Sequence, residues 1–194
     1  MKNQIPNGVR VPLHIRAMGK HGLLVLIITV ALHAQTPPPA ADIKEPHKTT
    51  IEGQEMFVVG FDRLSAFEYT IVDAGTGASR EEIEKARKRD QVPAWIRFYQ
   101  DKRVVLTGYL MPLQIENGRA KKFVLMKDIN TCCYGAVPNM NDYVVVTMKG
   151  EAVPAVQDVP VELIGTLHIE EKYDNGYVTS LFTLDGEKFL GAKK

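Results

Sequence analysis

Apolar and polar positions change rhythm three times along the chain. Near the N-terminus, ten apolar residues run unbroken from Leu23 to Leu32. From Ser79 to Asp90 charged side chains dominate, and only Ile83 and Ala86 interrupt them. From Arg103 onward, short stretches rich in β-branched and aromatic residues follow one another between Gly, Asn, Asp and Pro. Alternation is clearest over Val159–Ile169. Val159, Val161, Leu163, Gly165, Leu167 and Ile169 fall on one parity; Pro160, Glu162, Ile164, Thr166 and His168 fall on the other. That period marks a strand with one buried face. The pattern predicts strands over Arg103–Leu110, Lys122–Met126, Tyr143–Met148, Val159–Ile169 and Gly176–Leu184. Turn signals at Glu116-Asn117-Gly118, Pro138–Asp142, Lys149-Gly150 and Asp174-Asn175-Gly176 separate them. Gln54–Val59 and Phe67–Val72 read as an earlier pair of extended segments.

The charged stretch predicts a helix. Ser79 can cap its start, and Glu82 three residues on completes a capping box. Glu81, Glu82 and Glu84 lie near the positive end of the helix dipole; Lys85, Lys88 and Arg89 lie near the negative end. Glu81–Lys85 and Glu84–Lys88 are favourable i,i+4 pairs. The cations Lys85, Arg87, Lys88 and Arg89 read as a solvated helix end, because the acids beside them cancel their field. Val92-Pro93 can open a second short helix through Trp95–Tyr99. Gly108 and Gly165, inside predicted strands, mark bends or close backbone approach. These elements predict a mainly β fold: a small antiparallel Greek-key (OB-like) barrel with one or two short helices, with a β-sandwich as the alternative. Such a fold does not by itself name a ligand.

Outside the barrel the chain has a different character. Residues 1–34 carry Lys2, Arg10, Arg16 and Lys20 and no acid. The apolar run Leu23–Leu32 is too short for a comfortable bilayer span, which needs about 20 residues. Basic residues, a short apolar run and a small residue at Ala34 are the order of an export signal. Residues 1–34 are therefore read as a signal peptide cleaved near Ala34, with an uncleaved anchor as the alternative; Met18 would start a tidier signal. The expected location is the periplasm or the exterior, and the expected membrane contact is the signal segment alone. Residues 35–50, with Pro37-Pro38-Pro39, read as a proline-rich spacer. Residues 51–91 read as an appendage and residues 92–191 as the barrel. Beyond residue 34 the chain holds 20 of the 24 basic residues and all 23 acidic ones. That slightly acidic body excludes a general nucleic-acid binder, which needs a basic face.

Candidate chemistry is sparse. The two cysteines are adjacent, Cys132-Cys133, in a segment that continues Tyr134-Gly135-Ala136-Val137-Pro138-Asn139 between the second and third barrel strands. Three readings stay open. The thiolates can hold a soft or borderline ion such as Zn2+ or Cu+. They can close a strained vicinal disulfide that works as a redox switch. They can also be small packed residues in a loop that shapes a protein-contact surface. A closed zinc site wants four ligands, and beyond residue 34 the only histidines are His47, in the spacer, and His168. The candidate metal set is Cys132, Cys133 and His168, with Asp128, Asp142 and Met140 as possible additions. Tyr134, Gly135, Pro138 and Asn139 shape the loop. There is no G-x-S-x-G, H-E-x-x-H, C-x-x-C, Walker or Rossmann pattern. No catalytic residue is assigned, and the chain is not expected to be an enzyme.

Val92-Pro93-Ala94-Trp95-Ile96, Asp101–Leu113 with its Gly108 and Met111-Pro112-Leu113, Phe123-Val124-Leu125 and Cys132–Asn141 occur in that order. Together they resemble the bacterial domain-of-unknown-function family 3299. The match covers about residues 92–169. Asp101 stands where that pattern commonly has glycine, and Leu110 precedes Met111-Pro112. The lipid-bearing cysteine of many relatives is absent here. The resemblance implies an exported, uncharacterised domain. For some relatives it also implies gene neighbours of the ABC-transporter type with a link to metal uptake. An envelope transporter is the partner it suggests.

Overall fold

The computed structural model of the protein describes residues 45–129 and 138–193, all within the unit Pro39–Lys194. Three two-residue turns set its hairpins. Glu52-Gly53 joins β1 (His47–Ile51) to β2 (Gln54–Val59), Asn117-Gly118 joins β4 (Ile115–Glu116) to β5 (Arg119–Ala120), and Asn175-Gly176 joins β9 (Pro160–Asp174) to β10 (Tyr177–Ala192). Both residues of each turn have positive φ, from 50° to 88°. Paired left-handed residues give the tight turn whose twist suits antiparallel strands, which is why Asn-Gly recurs there.

The remaining strands are β3 (Lys102–Pro112), β6 (Lys122–Met126), β7 (Tyr143–Met148) and β8 (Val153–Pro154). One seven-stranded sheet runs β1-β2-β3-β6-β7-β10-β9, and β9 also pairs with β3. The pairings thus follow a partial ring of five strands, β3-β6-β7-β10-β9 and back to β3. β2 lies parallel to β3 at Val104–Leu106, and β6 takes over at Tyr109–Pro112. β4, β5 and β8 form a separate three-stranded sheet.

The mainly β character expected from the pattern is present. The wholly antiparallel expectation is not met, because β2–β3 and β7–β10 are parallel. Long connections precede both second strands, and only such connections let strands run the same way. One of them holds the helices: α1 (Phe61–Leu64), a 3-10 turn at Ala74–Thr76, α2 (Arg80–Arg87) and α3 (Ala94–Arg97). The capping box at Ser79 and Glu82 is formed. On α2 the ion pair is Glu84–Arg87 rather than the expected i,i+4 pairs. Phe67–Val72 is not a strand. Both backbone groups of Thr70 bond the Gln91 side-chain amide instead (Thr70 N–H to Oε1 3.1 Å, Nε2 to the carbonyl 3.0 Å), so no ladder is needed. His47–Thr50, read as the end of the spacer, are strand β1 paired to β2.

Alternate residues of the ring strands build the main apolar cluster: Val104 and Leu106, Phe123 and Leu125, Val144 and Val146, Leu163 and Leu167, Phe182 and Leu184. Ile96, Tyr99 and Leu64 from the crossover join it, all fully buried. On the other parity, Val105 and Ile164 meet Met56 in a second small cluster flanked by Ile51, Val58 and Leu190. The β1–β2 hairpin and the end of β10 therefore cover the back of the β3–β9 pair. Each fully buried aliphatic or aromatic side chain contributes about 1.5–3 kcal/mol. Gly165 pairs with Val104 on one side and Gly186 on the other. A Cβ there would stand 2.5 Å from the Asp185 carbonyl oxygen, so close backbone approach excludes any side chain.

Candidate functional site

The connector between β6 and β7 is the segment the sequence singles out. Cys132, Cys133, Tyr134 and Gly135 lie outside the described residues; Pro138 and Asn139 lie within them. Both feet of the connector are tied. Lys127 N–H donates to the Asp142 carbonyl (2.9 Å), and Asp142 N–H donates to the Asn139 carbonyl (3.0 Å). Asn139 Nδ2 donates to Asp142 Oδ2 at 2.8 Å, and Lys127 Nζ stands 3.4 Å from Oδ1. Asn141 is buried, donates from Nδ2 to the Phe67 carbonyl (2.6 Å), and accepts from Ser65 Oγ at its own carbonyl (3.0 Å). A buried amide costs free energy unless it is bonded, so these bonds hold the foot against the crossover.

Electrostatics at this foot follow from the same contacts. Burial raises the Asp142 carboxyl, but hydrogen bonds from Ser65 and Asn139 and the Lys127 charge outweigh it and hold the group below its ordinary value. Burial pushes the Tyr143 phenol up. Its hydroxyl lies 3.0 Å from the Thr179 carbonyl and 2.8 Å from Met140 Sδ, tying the start of β7 to β10. Beside the first foot, Tyr109, Met111, Pro112, Met126, Asp128 and Ile129 are among the residues lining a cavity of ≈ 250 Å³.

His168 has its own partners. It sits on β9 opposite Thr183. Nδ1 is 2.6 Å from Asp101 Oδ1, and Nε2 is 3.3 Å from Asp185 Oδ2. Gln100 and then His168 hold the Asp101 carboxyl below its ordinary value. For Asp185, burial acts upward and is outweighed by Lys149 and His168, which lower it. Each ring nitrogen of His168 therefore faces a carboxylate from a different side. An ion could use either nitrogen only by displacing an aspartate. Among the described residues, no group of three His, Cys, Asp or Glu side chains is placed to hold a metal.

The cationic end of α2 borders a groove of ≈ 560 Å³ with Asp90, Glu171 and Tyr173. Arg97 pairs with Asp90 at 2.7 Å, Glu171 accepts from Tyr173 at 2.5 Å, and the Arg87 guanidinium lies 4.0 Å over the Tyr173 ring. The Tyr173 phenol is pushed up to about 12, first by burial and then by Glu171. Asp90 and Arg97 are thus engaged with each other, and Arg87 and Glu171 with Tyr173.

Sequence reasoning missed Ser65, Asn141 and Tyr143 as braces of the connector, and Asp101 and Asp185 as partners of His168. All are long-range contacts, with no local spacing to reveal them.

A family model described as "Protein of unknown function (DUF3299)" matches residues 54–190. No curated protein matches the chain. A crystal structure of a DUF3299 family protein from Pseudomonas aeruginosa aligns at 16% identity over 71% of this chain and 95% of that one, with a TM-score of 0.47.

Proposed function

The chain belongs to the DUF3299 family of proteins of unknown function, and from its own residues we propose that it is an exported, non-catalytic module that binds an ion at the Cys132-Cys133 connector. The ring β3-β6-β7-β10-β9 with its parallel β7–β10 pair supports reading the scaffold as an OB-like barrel. In such a scaffold, function resides in what the strands display.

One observation carries the proposal. The most unusual segment of the chain springs from two feet braced by Asn141, Asp142 and Tyr143. Bracing of this kind limits the ordering entropy lost when a loop closes on an ion. Adjacent thiolates suit Zn2+ or Cu+. The basic, apolar start of the chain supports export, and an ion held outside the cytoplasm fits a partner of the envelope ABC-transporter type.

The experiment is metal analysis of protein purified from the periplasm, beside a Cys132→Ser/Cys133→Ser variant. The expected result is one zinc or copper per chain, lost in the variant, and a mature N-terminus at Gln35. Metal-free protein whose intact mass rises by two units on mild reduction overturns the ion reading in favour of a vicinal disulfide. A variant that keeps its metal overturns the assignment to the connector.

A further inference from the structure

Single apolar side chains exposed on a protein surface are ordinary and carry no message. Leu113 (52% exposed) and Ile115 (53%) are different because they stand two positions apart. In an extended chain that spacing puts both side chains on one face. Leu113 N–H donates to the Lys122 carbonyl at 3.2 Å, and Ile115 pairs with Ala120. The Asn117-Gly118 turn closes this hairpin, and every residue from Leu113 to Arg119 is exposed. Phe98, by contrast, has the Lys102 ammonium 3.1 Å from its ring centre. Cations crowd the same hairpin. Arg119, Lys121 and Lys122 border a hollow of ≈ 330 Å³ in which Glu116 is the one carboxylate. Glu116 is opposite Arg119, whose guanidinium donates to the Ala152 carbonyl. Glu151 joins Arg119 in the adjoining hollow. Among the described residues, the Lys121 and Lys122 ammonium groups are paired with no carboxylate.

We propose that the Leu113–Lys122 hairpin docks the protein on an anionic phospholipid surface. Two exposed apolar side chains beside two unpaired lysines need a partner that offers hydrocarbon and negative charge in one contact. A bilayer interface offers both, acyl chains below and phosphates above. Leu113 and Ile115 enter the acyl boundary. Lys121 and Lys122 lay their stems along it and keep their ammonium groups among the phosphates. The basic, apolar start of the chain brings it to such a surface during export, and the hairpin holds the folded body there afterwards. The proposal goes beyond ion binding and draws nothing from the connector.

The test is co-sedimentation with vesicles of equal parts phosphatidylglycerol and phosphatidylcholine, and with phosphatidylcholine alone. The protein used begins at Gln35, because the Leu23–Leu32 run would bind vesicles by itself; the described fold lies wholly in the unit Pro39–Lys194. Wild type should bind the anionic vesicles, and more weakly as salt rises. Each cation at such a surface is worth about fivefold in partition, so Lys121→Gln/Lys122→Gln should lower binding roughly 20- to 30-fold. Leu113→Ser/Ile115→Ser should lower it about tenfold or more. All four side chains are exposed, so both variants should keep the wild-type thermal midpoint. A Leu113→Trp variant adds a second tryptophan to Trp95, which packs against the core; brominated lipid should quench the new one and spare Trp95. Wild type that binds neither vesicle, or both equally, overturns the proposal. So does binding that both double variants retain in full. Wild type that ignores vesicles but dimerises, with the dimer lost in Leu113→Ser/Ile115→Ser, overturns it in favour of a second copy of the chain. Metal analysis reads a different segment, so either proposal can fail alone.

Discussion

Gly165→Ala puts the ring to its sharpest test. The glycine lies in β9 between Val104 of β3 and Gly186 of β10, where the pairings close on themselves. An added Cβ would meet the Asp185 carbonyl oxygen at 2.5 Å, Leu184 Cγ at 2.8 Å and the Asp185 carbonyl carbon at 3.1 Å. Ordinary carbon contacts begin near 3.5 Å. Two of the three atoms are backbone, so no rotamer change relieves the overlap. β9 must part from β10 by most of an ångström, across a ladder whose core residues Leu163, Leu167 and Leu184 are fully buried. Overpacking of this kind costs about 1–3 kcal/mol, and a backbone clash belongs at the upper end. About 3 kcal/mol corresponds to a fall in thermal midpoint of roughly 6–12 °C for a domain of this size. Two other glycines calibrate the reasoning. At Gly186 the nearest atom is Met148 Sδ, the movable end of a side chain, so Gly186→Ala should cost about 1 kcal/mol. Nothing lies within 4 Å of a Cβ at Gly150, so Gly150→Ala should stay within about 0.5 kcal/mol. The assay is equilibrium urea and thermal unfolding of the mature protein. Equal stability of Gly165→Ala and Gly150→Ala would refute the close approach of β9 to β10.

Further outcomes follow from other contacts. Asp73 is buried, caps the 3-10 turn through the Gly75 and Thr76 N–H groups, and accepts from Val178 N–H at 3.0 Å; Asp73→Ala should cost about 3 kcal/mol, and a loss under about 1 kcal/mol in urea would contradict that pinning. Ser79→Ala removes the cap of an exposed helix and should cost about 1 kcal/mol, seen as faster amide exchange in α2 with the strands unchanged. Asp101 and Asp185 are both held below the ordinary aspartate value. Their stabilising contribution is therefore complete above the unfolded pKa near 3.9 and disappears as pH falls through the lower folded values. Both are exposed enough for solvent to screen the effect, so the shift should be small. The midpoint gap between wild type and Asp101→Asn/Asp185→Asn should narrow as pH falls from about 5 to about 3; parallel curves over that range would exclude this.

Local chemistry made much of the fold legible. Lys122–Met126 and Tyr143–Met148 are strands at the bounds their residue types suggested. The Asn-Gly turns, the Ser79–Glu82 box and the buried parity of Val161, Leu163, Leu167 and Ile169 follow from short-range preferences that few partners can overrule. Tertiary contacts decided the rest. Phe67–Val72 has strand-like residues, yet the side-chain amide of Gln91, 21 positions further along the chain, satisfies its backbone at Thr70. Ile164 sits on the polar parity and is buried because a hairpin from the segment read as spacer and appendage covers it. The cysteine pair was visible as composition, but the bonds of Asn141 to Ser65 and Phe67 and of Tyr143 to Thr179 at the start of β7 were not, nor was the capture of His168 by Asp101 and Asp185. Periodicity reports which face of an element is buried; it holds no information about which distant element arrives to bury it. That choice is made by the register and direction of strand pairing, which exist only once the chain has closed on itself.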